Sequence, residues 1–183
     1  HKTFGPTGVG AIYVKKEHLG DLLPYQTGGA TIHEVDYHGS TLLDSPYMFE
    51  AGTQNIAGVI GFAQALEYIK HVGYENIETI EKDVYTYLDK RLREIPDIEF
   101  YNDIEDSVGS RSFNIKGLIH DDVGILVDKM KIALRVGHHC AQPIMKQLGI
   151  KGTIRVSLAF YNNYNDIDKL ILALKKAISM LKD

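Results

Sequence analysis

Apolar positions in the second half of the chain recur with two different periods, which predict helices alternating with strands. Residues spaced three and four apart predict amphipathic helices, and these cover residues 55–73, 76–95, 121–130, 142–148 and 165–181. Short runs rich in β-forming residues predict strands, at residues 98–101, 110–115, 132–136 and 153–158. Asp121 or Asp122 is a candidate cap of the helix that follows it. The pattern predicts an α/β or α+β sandwich around one sheet.

The first 55 residues follow a different pattern. A glycine-rich loop leads into Ala11–Val14, an apolar run that predicts a buried strand. Residues 16–23 predict one or two helical turns. Glycines and a Ser-Pro pair across residues 27–49 predict a hairpin or an extended lobe. Because the sequence opens inside a loop and without Met, we expect it to be a fragment of a larger protein.

Composition excludes several functional classes. The 183 residues are 44% hydrophobic and carry a net charge of −4, whereas a nucleic-acid-binding protein normally shows a basic face. No apolar run reaches the roughly 18 residues that a membrane-spanning helix needs. A single cysteine cannot form an internal disulfide, so we expect a reducing, cytoplasmic setting.

That cysteine, Cys140, lies between a predicted strand and a short predicted helix, in Arg-Val-Gly-His-His-Cys-Ala-Gln-Pro. A lone cysteine is often a small buried hydrophobic residue. Here the adjacent imidazoles, Arg135 and the following helix would all stabilise a thiolate, so a reactive thiol is the favoured interpretation. A metal site is disfavoured, because adjacent residues point in divergent directions and no second Cys/His cluster supplies the remaining ligands.

Three other positions are ambiguous from the residues alone. Arg155 interrupts an apolar strand and needs a carboxylate partner, either in a ligand or in a structural ion pair. Thr53 follows Gly52 at a predicted helix start, where it could cap the helix or bind a phosphate, and capping is the favoured interpretation. Lys2, near the chain end, is interpreted as a solvated charge.

Four motifs in order resemble those of the group II cysteine desulfurases, which are class V aminotransferase-like, fold-type I pyridoxal-phosphate (PLP) enzymes related to selenocysteine lyase. Residues 1–10 are similar to that family's cofactor-lysine loop, and residues 49–55 to its phosphate-contacting turn. Residues 135–143 are similar to its active-site cysteine segment, and residues 154–162 to its carboxylate-binding strand. The resemblance covers essentially the whole chain. It implies the carboxy-terminal part of such an enzyme, with residues 1–70 in the large PLP-binding domain and 75–183 forming a small α/β domain.

The resemblance implies roles at the cofactor for four residues. Lys2 would bind PLP covalently and, once displaced by substrate, move the α-proton. His1 would contact the cofactor phosphate. Thr53, with the backbone of Gly52, would reach the phosphate of the partner subunit's cofactor in a homodimer.

It also implies roles at the substrate. Arg155 would bind the substrate carboxylate, and Arg135 and His139 would line the sulfur end of the pocket. The thiolate of Cys140 would attack the substrate sulfur, leaving alanine and an enzyme persulfide.

The implied partners are L-cysteine or L-selenocysteine, a second subunit and a sulfur-accepting protein of iron–sulfur cluster assembly, with no nucleic acid, membrane or metal. The alternatives are a selenocysteine lyase and a non-catalytic domain for dimerisation or sulfur carriage. The family's aspartate at the pyridine nitrogen and its ring-stacking histidine lie outside this sequence. We therefore expect the isolated chain to be inactive.

Overall fold

The structure, a computed structural model, describes residues 2–104, 107 and 109–182. The chain divides into two compact units, unit 1 (His1–Val72) and unit 2 (Gly73–Asp183). The assignment of residues 1–70 to a large domain and of 75–183 to a small one stays a prediction. Among the described residues, no helix combines the length and the apolar character needed to cross a membrane.

Unit 1 consists of short elements followed by one long helix. Its regular elements are a 3-10 helix at Lys16–Asp21, strands β1 (Ile32–Val35) and β2 (Ser40–Leu42), a 3-10 turn at Tyr47–Phe49 and helix α1 (Ile56–Val72). The two strands pair in an antiparallel hairpin. The predicted helical turns, hairpin and helix are therefore confirmed.

The predicted buried strand at Ala11–Val14 is wrong. These residues form no strand, and the side chains of Ile12 and Tyr13 are 91% and 88% exposed. A strand needs a neighbour that completes its hydrogen bonds and covers its apolar face. None of the described strands pairs with this run, so its apolar pattern is not sufficient to order it as a strand.

Unit 2 alternates helices and strands around one sheet. Its elements are α2 (Tyr74–Leu92), β3 (Ile98–Phe100), β4 (Ser110–Ile115), α3 (His120–Lys129), β5 (Arg135–Gly137), α4 (Gln142–Gln147), β6 (Thr153–Ser157) and α5 (Tyr164–Lys182). The sheet has the order β3-β4-β6-β5 and is antiparallel throughout. The predicted mixture of helices and one sheet is confirmed, in its α+β form.

One face of this sheet carries the core. Phe113 of β4 and Ile154 and Val156 of β6 are buried in one cluster with apolar side chains of α2, α3 and α5. Because side chains alternate along a strand, the residues between them on β4 and β6 lie on the opposite face. That opposite face carries the site residues.

Two details near this face differ from expectation. Helix α3 begins after Ile119, without a side-chain cap, so neither Asp121 nor Asp122 is its cap. Both lie in its first turn, where a carboxylate stabilises the helix by interacting with its dipole. Strand β5 starts later than the predicted residue 132. The reason is that the N–H of Ile132 donates to the carbonyl of Val127 at the end of α3 rather than to a neighbouring strand.

Candidate active site

The candidate site of unit 2 is built on the open sheet face by the last strands. Arg155 lies on β6 directly opposite Arg135 of β5, and Thr153 lies opposite Gly137. Residues opposite one another on neighbouring antiparallel strands have Cβ atoms about 5 Å apart. The register therefore places two guanidinium-bearing side chains next to each other.

These two arginines differ from the other three in the chain. Arg91, Arg93 and Arg111 each form an ion pair with a carboxylate. Among the described residues, no carboxylate lies within ion-pair distance of Arg135 or Arg155, and the buried Nε of Arg155 has no hydrogen-bond partner. The structural ion pair considered for Arg155 is therefore not found. Paired like charges are destabilising unless an anion compensates them, so this arrangement can bind a carboxylate.

Cys140 lies on the turn between β5 and α4, as the sequence predicts. The N–H of Ala141 donates to the carbonyl of His138 at 2.8 Å, and the thiol is exposed. His139 and Cys140 both have positive φ, 53° and 59°, which costs a residue other than glycine about 1–3 kcal/mol. Strain of this kind concentrates at functional turns, and the thiol on this turn is exposed.

The thiol lies next to the guanidinium of Arg135. Its Nη2 lies 3.8 Å from the Sγ of Cys140. The N–H of Cys140 donates to Nδ1 of His138 at 3.1 Å. A cationic neighbour stabilises the thiolate, which is the nucleophilic form of cysteine. Among the described residues, no cluster of three or more His, Cys, Asp or Glu side chains is arranged to hold a metal.

His139 is held from β6. Its Nε2 lies 2.8 Å from Oγ1 of Thr153 and 3.1 Å from the carbonyl oxygen of the same residue, while its Nδ1 is buried without a partner. Burial lowers the pKa of His139 below its usual value near 6.5, and the positive charges of Arg155 and Arg135 lower this pKa further. The imidazole is therefore neutral at neutral pH.

Gly152, directly before β6, allows β6 and β5 to approach closely next to the cysteine turn. A Cβ on buried Gly152 would lie 2.6 Å from Nε2 of His120 and 2.7 Å from the carbonyl carbon of Gly137. Only a residue without a side chain fits there. Gly152 therefore brings the start of β6 against the strand that ends in the cysteine turn.

In unit 1, Lys2 is exposed at the start of a tight loop. The N–H of Gly5 donates to the carbonyl of Lys2 at 3.1 Å, and Thr3 and Phe4 between them have positive φ. A Cβ on Gly5 would lie 2.9 Å from the ring of Phe62. The lysine is thus followed by two left-handed residues and then by a glycine packed against α1. His1 lies outside the described residues.

The start of α1 tests one of the two interpretations of Thr53, the helix cap. The cap is Asn55, whose Oδ1 accepts from the N–H of Gly58 at 2.9 Å, while its Nδ2 donates to the carbonyl of Gly8 at 3.0 Å. Thr53 is exposed, and its hydroxyl has no hydrogen-bond partner in the described part of the chain. Capping by Thr53 is therefore wrong. The N–H of Gly52 already donates to the carbonyl of Gly29 at 2.7 Å.

The structure thus brings the unit 2 site residues together and adds others. Cys140, Arg135, Arg155 and His139 meet at one end of the sheet, whereas Lys2, Gly52 and Thr53 belong to unit 1. Three positioning residues were missed from the sequence: Asn55, Gly152 and Thr153. Two had a signal. Asn directly before a helical period is a preferred cap, and a glycine at the edge of an apolar strand indicates a close backbone approach.

The chain is similar to several known proteins. The probable cysteine desulfurase of Xylella fastidiosa (strain 9a5c) is 39% identical over 181 residues, which are 99% of this chain and 44% of that protein. The S-sulfonic acid form of the cysteine desulfurase CsdA from Escherichia coli superposes with a TM-score of 0.92 at 36% identity, over 98% of this chain and 45% of that one. The cystine C-S lyase C-DES, in complex with its product cysteine persulfide, superposes with a TM-score of 0.75 at 22% identity, which shows the fold alone.

The chain therefore spans less than half the length of the relatives that it matches. The predicted fold, that of part of a fold-type I PLP-dependent transferase, is confirmed, since the match to the desulfurase structure extends over almost every residue. A family model described as aminotransferase class-V matches residues 1–170. With that match over more than nine tenths of its length, the chain belongs to the class-V aminotransferase family.

Proposed function

We propose that the protein carrying this chain is a PLP-dependent cysteine desulfurase, which converts L-cysteine to L-alanine and receives the sulfur on Cys140. The observation that carries this proposal is an exposed thiol 3.8 Å from the guanidinium of Arg135. Arg135 lies opposite Arg155 on the neighbouring strand, and no described carboxylate forms an ion pair with either arginine. A nucleophile beside a pair of arginines that can bind a carboxylate suits an amino-acid substrate that carries sulfur. The cysteine desulfurases among the relatives support this choice over a selenocysteine lyase.

The unit 1 residues fit the cofactor. Thr53 offers an unused hydroxyl close to the start of α1, and a helix start with such a donor suits a phosphate. Lys2 is exposed on its loop and available for a covalent bond to an aldehyde. PLP, when bound, stores the electrons released as the substrate loses its α-proton, which weakens the bond from Cβ to sulfur.

The remaining steps belong to the chain's own residues. The guanidinium of Arg155 binds the substrate carboxylate with charge-assisted hydrogen bonds. The Cys140 thiolate attacks the substrate sulfur, so that a sulfur–sulfur bond forms while the Cβ–sulfur bond breaks. Cβ keeps the bonding electron pair and takes up a proton. The products are alanine and a persulfide on Cys140, and Lys2 moves the α-proton.

The finer proposals concern partners and location. The exposed thiol on a short turn suits direct transfer of sulfur to an acceptor protein, in support of iron–sulfur cluster assembly. The exposed β1–β2 hairpin suits an interface between two copies in a homodimer. A single unpaired cysteine suits the reducing cytoplasm.

The direct test measures alanine and protein-bound persulfide in the full-length protein supplied with PLP and L-cysteine. We expect one alanine per persulfide in a single turnover without acceptor. Cys140→Ala should abolish the persulfide while the cofactor stays bound to Lys2, as borohydride trapping would show. Full persulfide formation in Cys140→Ala would exclude this thiol as the sulfur acceptor. Failure of borohydride to trap the cofactor on Lys2 would favour a non-catalytic domain.

A second test concerns substrate binding. Arg155→Gln removes a charge-assisted hydrogen bond worth about 1.5–3 kcal/mol, so KM for L-cysteine should rise about 10- to 100-fold. Arg93→Gln is the matched control, because Arg93 pairs with Asp89 instead, and its KM should stay unchanged. Equal KM values in the two variants would contradict the carboxylate-binding role. Activity of Cys140→Ala on L-selenocysteine and not on L-cysteine would instead identify a selenocysteine lyase.

A further inference from the structure

Thr153 makes the closest polar contact to His139, and nothing in the sequence marked it. It is the first residue of β6, and it is 1% exposed. Its hydroxyl and its carbonyl oxygen both lie within hydrogen-bond distance of the same imidazole nitrogen, Nε2 of His139, at 2.8 and 3.1 Å. A buried residue that offers two oxygens to one ring nitrogen restricts how that ring can be protonated.

The two oxygens of Thr153 together favour a proton on Nε2. A carbonyl can only accept a hydrogen bond, so Nε2 must carry the hydrogen for this contact to be favourable. If Nε2 were unprotonated, its lone pair would face the carbonyl lone pairs at 3.1 Å. The hydroxyl of Thr153 then accepts as well. In a neutral imidazole the other nitrogen, Nδ1, is left as an acceptor.

The surroundings keep the ring neutral and leave this acceptor unused. Arg155 on β6, Arg135 on β5 and His120 on α3 are the titratable groups that act on the imidazole from the packed elements, and all of them disfavour a second proton. Nδ1 is buried and has no partner among the described residues. A buried acceptor without a partner costs about 1–3 kcal/mol, so this lone pair is expected to serve a ligand.

We propose that Thr153 is a positioning residue, which fixes His139 as the Nε2–H tautomer and so presents the Nδ1 lone pair as a proton acceptor at the sulfur end of the site. The role in sulfur transfer rests on the function proposed above. In that reaction the Cys140 thiol must lose a proton before its sulfur can attack. The Cβ atom of the substrate must later gain a proton to become the methyl group of alanine. His139 directly precedes Cys140 in the chain, and a neutral imidazole can hold that proton in between.

The first test reads the tautomer directly and needs no turnover. Nitrogen-15 NMR of histidine-labelled full-length protein should show His139 as the Nε2–H tautomer, with His139→Gln identifying its signals. Thr153→Val removes the nearer acceptor at constant shape, so the ratio of the Nε2–H to the Nδ1–H tautomer should fall about 2- to 10-fold. Thr153→Ser restores the hydroxyl and should restore the ratio. An Nδ1–H tautomer in the unsubstituted protein, or an unchanged ratio in Thr153→Val, would overturn the proposal.

The second test asks whether Thr153 acts through His139. Thr153→Val should slow persulfide formation on Cys140 with little change in KM, and Thr153→Ser should recover most of the rate. In a His139→Gln background, adding Thr153→Val should have no further effect, since the residue it positions is gone. Additive losses in the double variant would contradict a positioning role. If the unsubstituted protein forms no persulfide but shows the expected tautomer shifts, the proposed function fails and the positioning role stands.

Discussion

The two units of the chain are ordered by different means. Unit 2 packs a cluster of buried apolar side chains against one face of its sheet. In unit 1, the buried residues among positions 2–72 are Thr31, Gly58 and Ile69, and its order rests on turns, a two-stranded hairpin and polar contacts at the start of α1. Hydrophobic burial is the dominant favourable term in folding. The comparison therefore indicates that unit 2 carries most of the stability of this chain.

A matched pair of leucine substitutions tests this most strongly. Leu88 of α2 is 0% exposed in the unit 2 core, whereas Leu23 of unit 1 is 90% exposed. Leu88→Ala should lower the free energy of unfolding by about 2–5 kcal/mol, because it removes buried methyl groups and leaves a cavity. Leu23→Ala should change it by no more than about 0.5 kcal/mol. Urea denaturation measures both. Similar losses in the two variants would show that unit 1 has a core of its own.

A pair of glycine substitutions should give the next largest difference. Gly124→Ala in α3 would gain about 1 kcal/mol from helix propensity, but its Cβ would lie 2.6 Å from Cγ1 of Val136 on β5. Overpacking of this kind costs about 1–3 kcal/mol, so we expect a net loss of stability. In unit 1, Gly20→Ala meets no atom within 4 Å and should be neutral or stabilising by up to about 1 kcal/mol.

The cause of the loss in Gly124→Ala can be checked separately. Adding Val136→Ala should recover part of it, because the contact that creates the clash is removed. Thermal unfolding of the single and double variants is sufficient for this comparison. If Gly124→Ala alone is stabilising, β5 adapts to the added methyl group and the packing between α3 and β5 is looser than the structure indicates.

The same difference between the units explains how far the sequence could predict the structure. In unit 2 each apolar stripe packs inside the unit, so local periodicity is sufficient to predict its helices and the existence and type of its strands. In unit 1 the run at Ala11–Val14 has the composition of a strand but no described neighbour to pair with. Local pattern carries no information about whether such a neighbour is present.

The candidate site could be predicted only in part for a related reason. Cys140, Arg135 and Arg155 lie in two motifs that resemble those of a known family, and this resemblance predicted them as site residues. The contact of His139 with Thr153 depends on the register of β5 against β6, and a shift of one residue would put Thr153 on the other face. The sequence contains no direct signal for that register.

Two asparagine caps offer a smaller test of the comparison. Asn55 caps α1 in unit 1, and Asn163 caps α5 in unit 2, where its Oδ1 accepts from the N–H of Asn165 at 2.9 Å. Replacing either residue by Ala should cost its helix about 1 kcal/mol. Only Asn55→Ala should also accelerate amide hydrogen exchange at residues 5–10, because Asn55 alone also donates to the carbonyl of Gly8.

A more conservative change separates the two functions of Asn55. Asn55→Asp keeps an oxygen for the N–H of Gly58 and loses the donor to Gly8. We expect α1 to stay capped in this variant while the loop after Lys2 exchanges faster. Unchanged exchange in this loop would mean that its two left-handed residues and the packing of Gly5 on Phe62 hold it without Asn55.

The smallest expected effect is a pH dependence confined to unit 2. Burial and the neighbouring arginines lower the pKa of His139 in the folded protein below its unfolded value near 6.5. Between these two pKa values the unfolded chain binds more protons, so the free energy of unfolding must decrease as the pH falls from about 6.5 through the lower folded-state pKa. His139→Gln has no such titration. In urea denaturation at a series of pH values, the unsubstituted chain should therefore lose more stability than His139→Gln over this range, and the two should run parallel above pH 7. Parallel curves over the whole range would mean that His139 is as accessible to protons in the folded protein as in the unfolded chain. The contact with Thr153 would then not hold the ring in the partly buried position that the structure gives it.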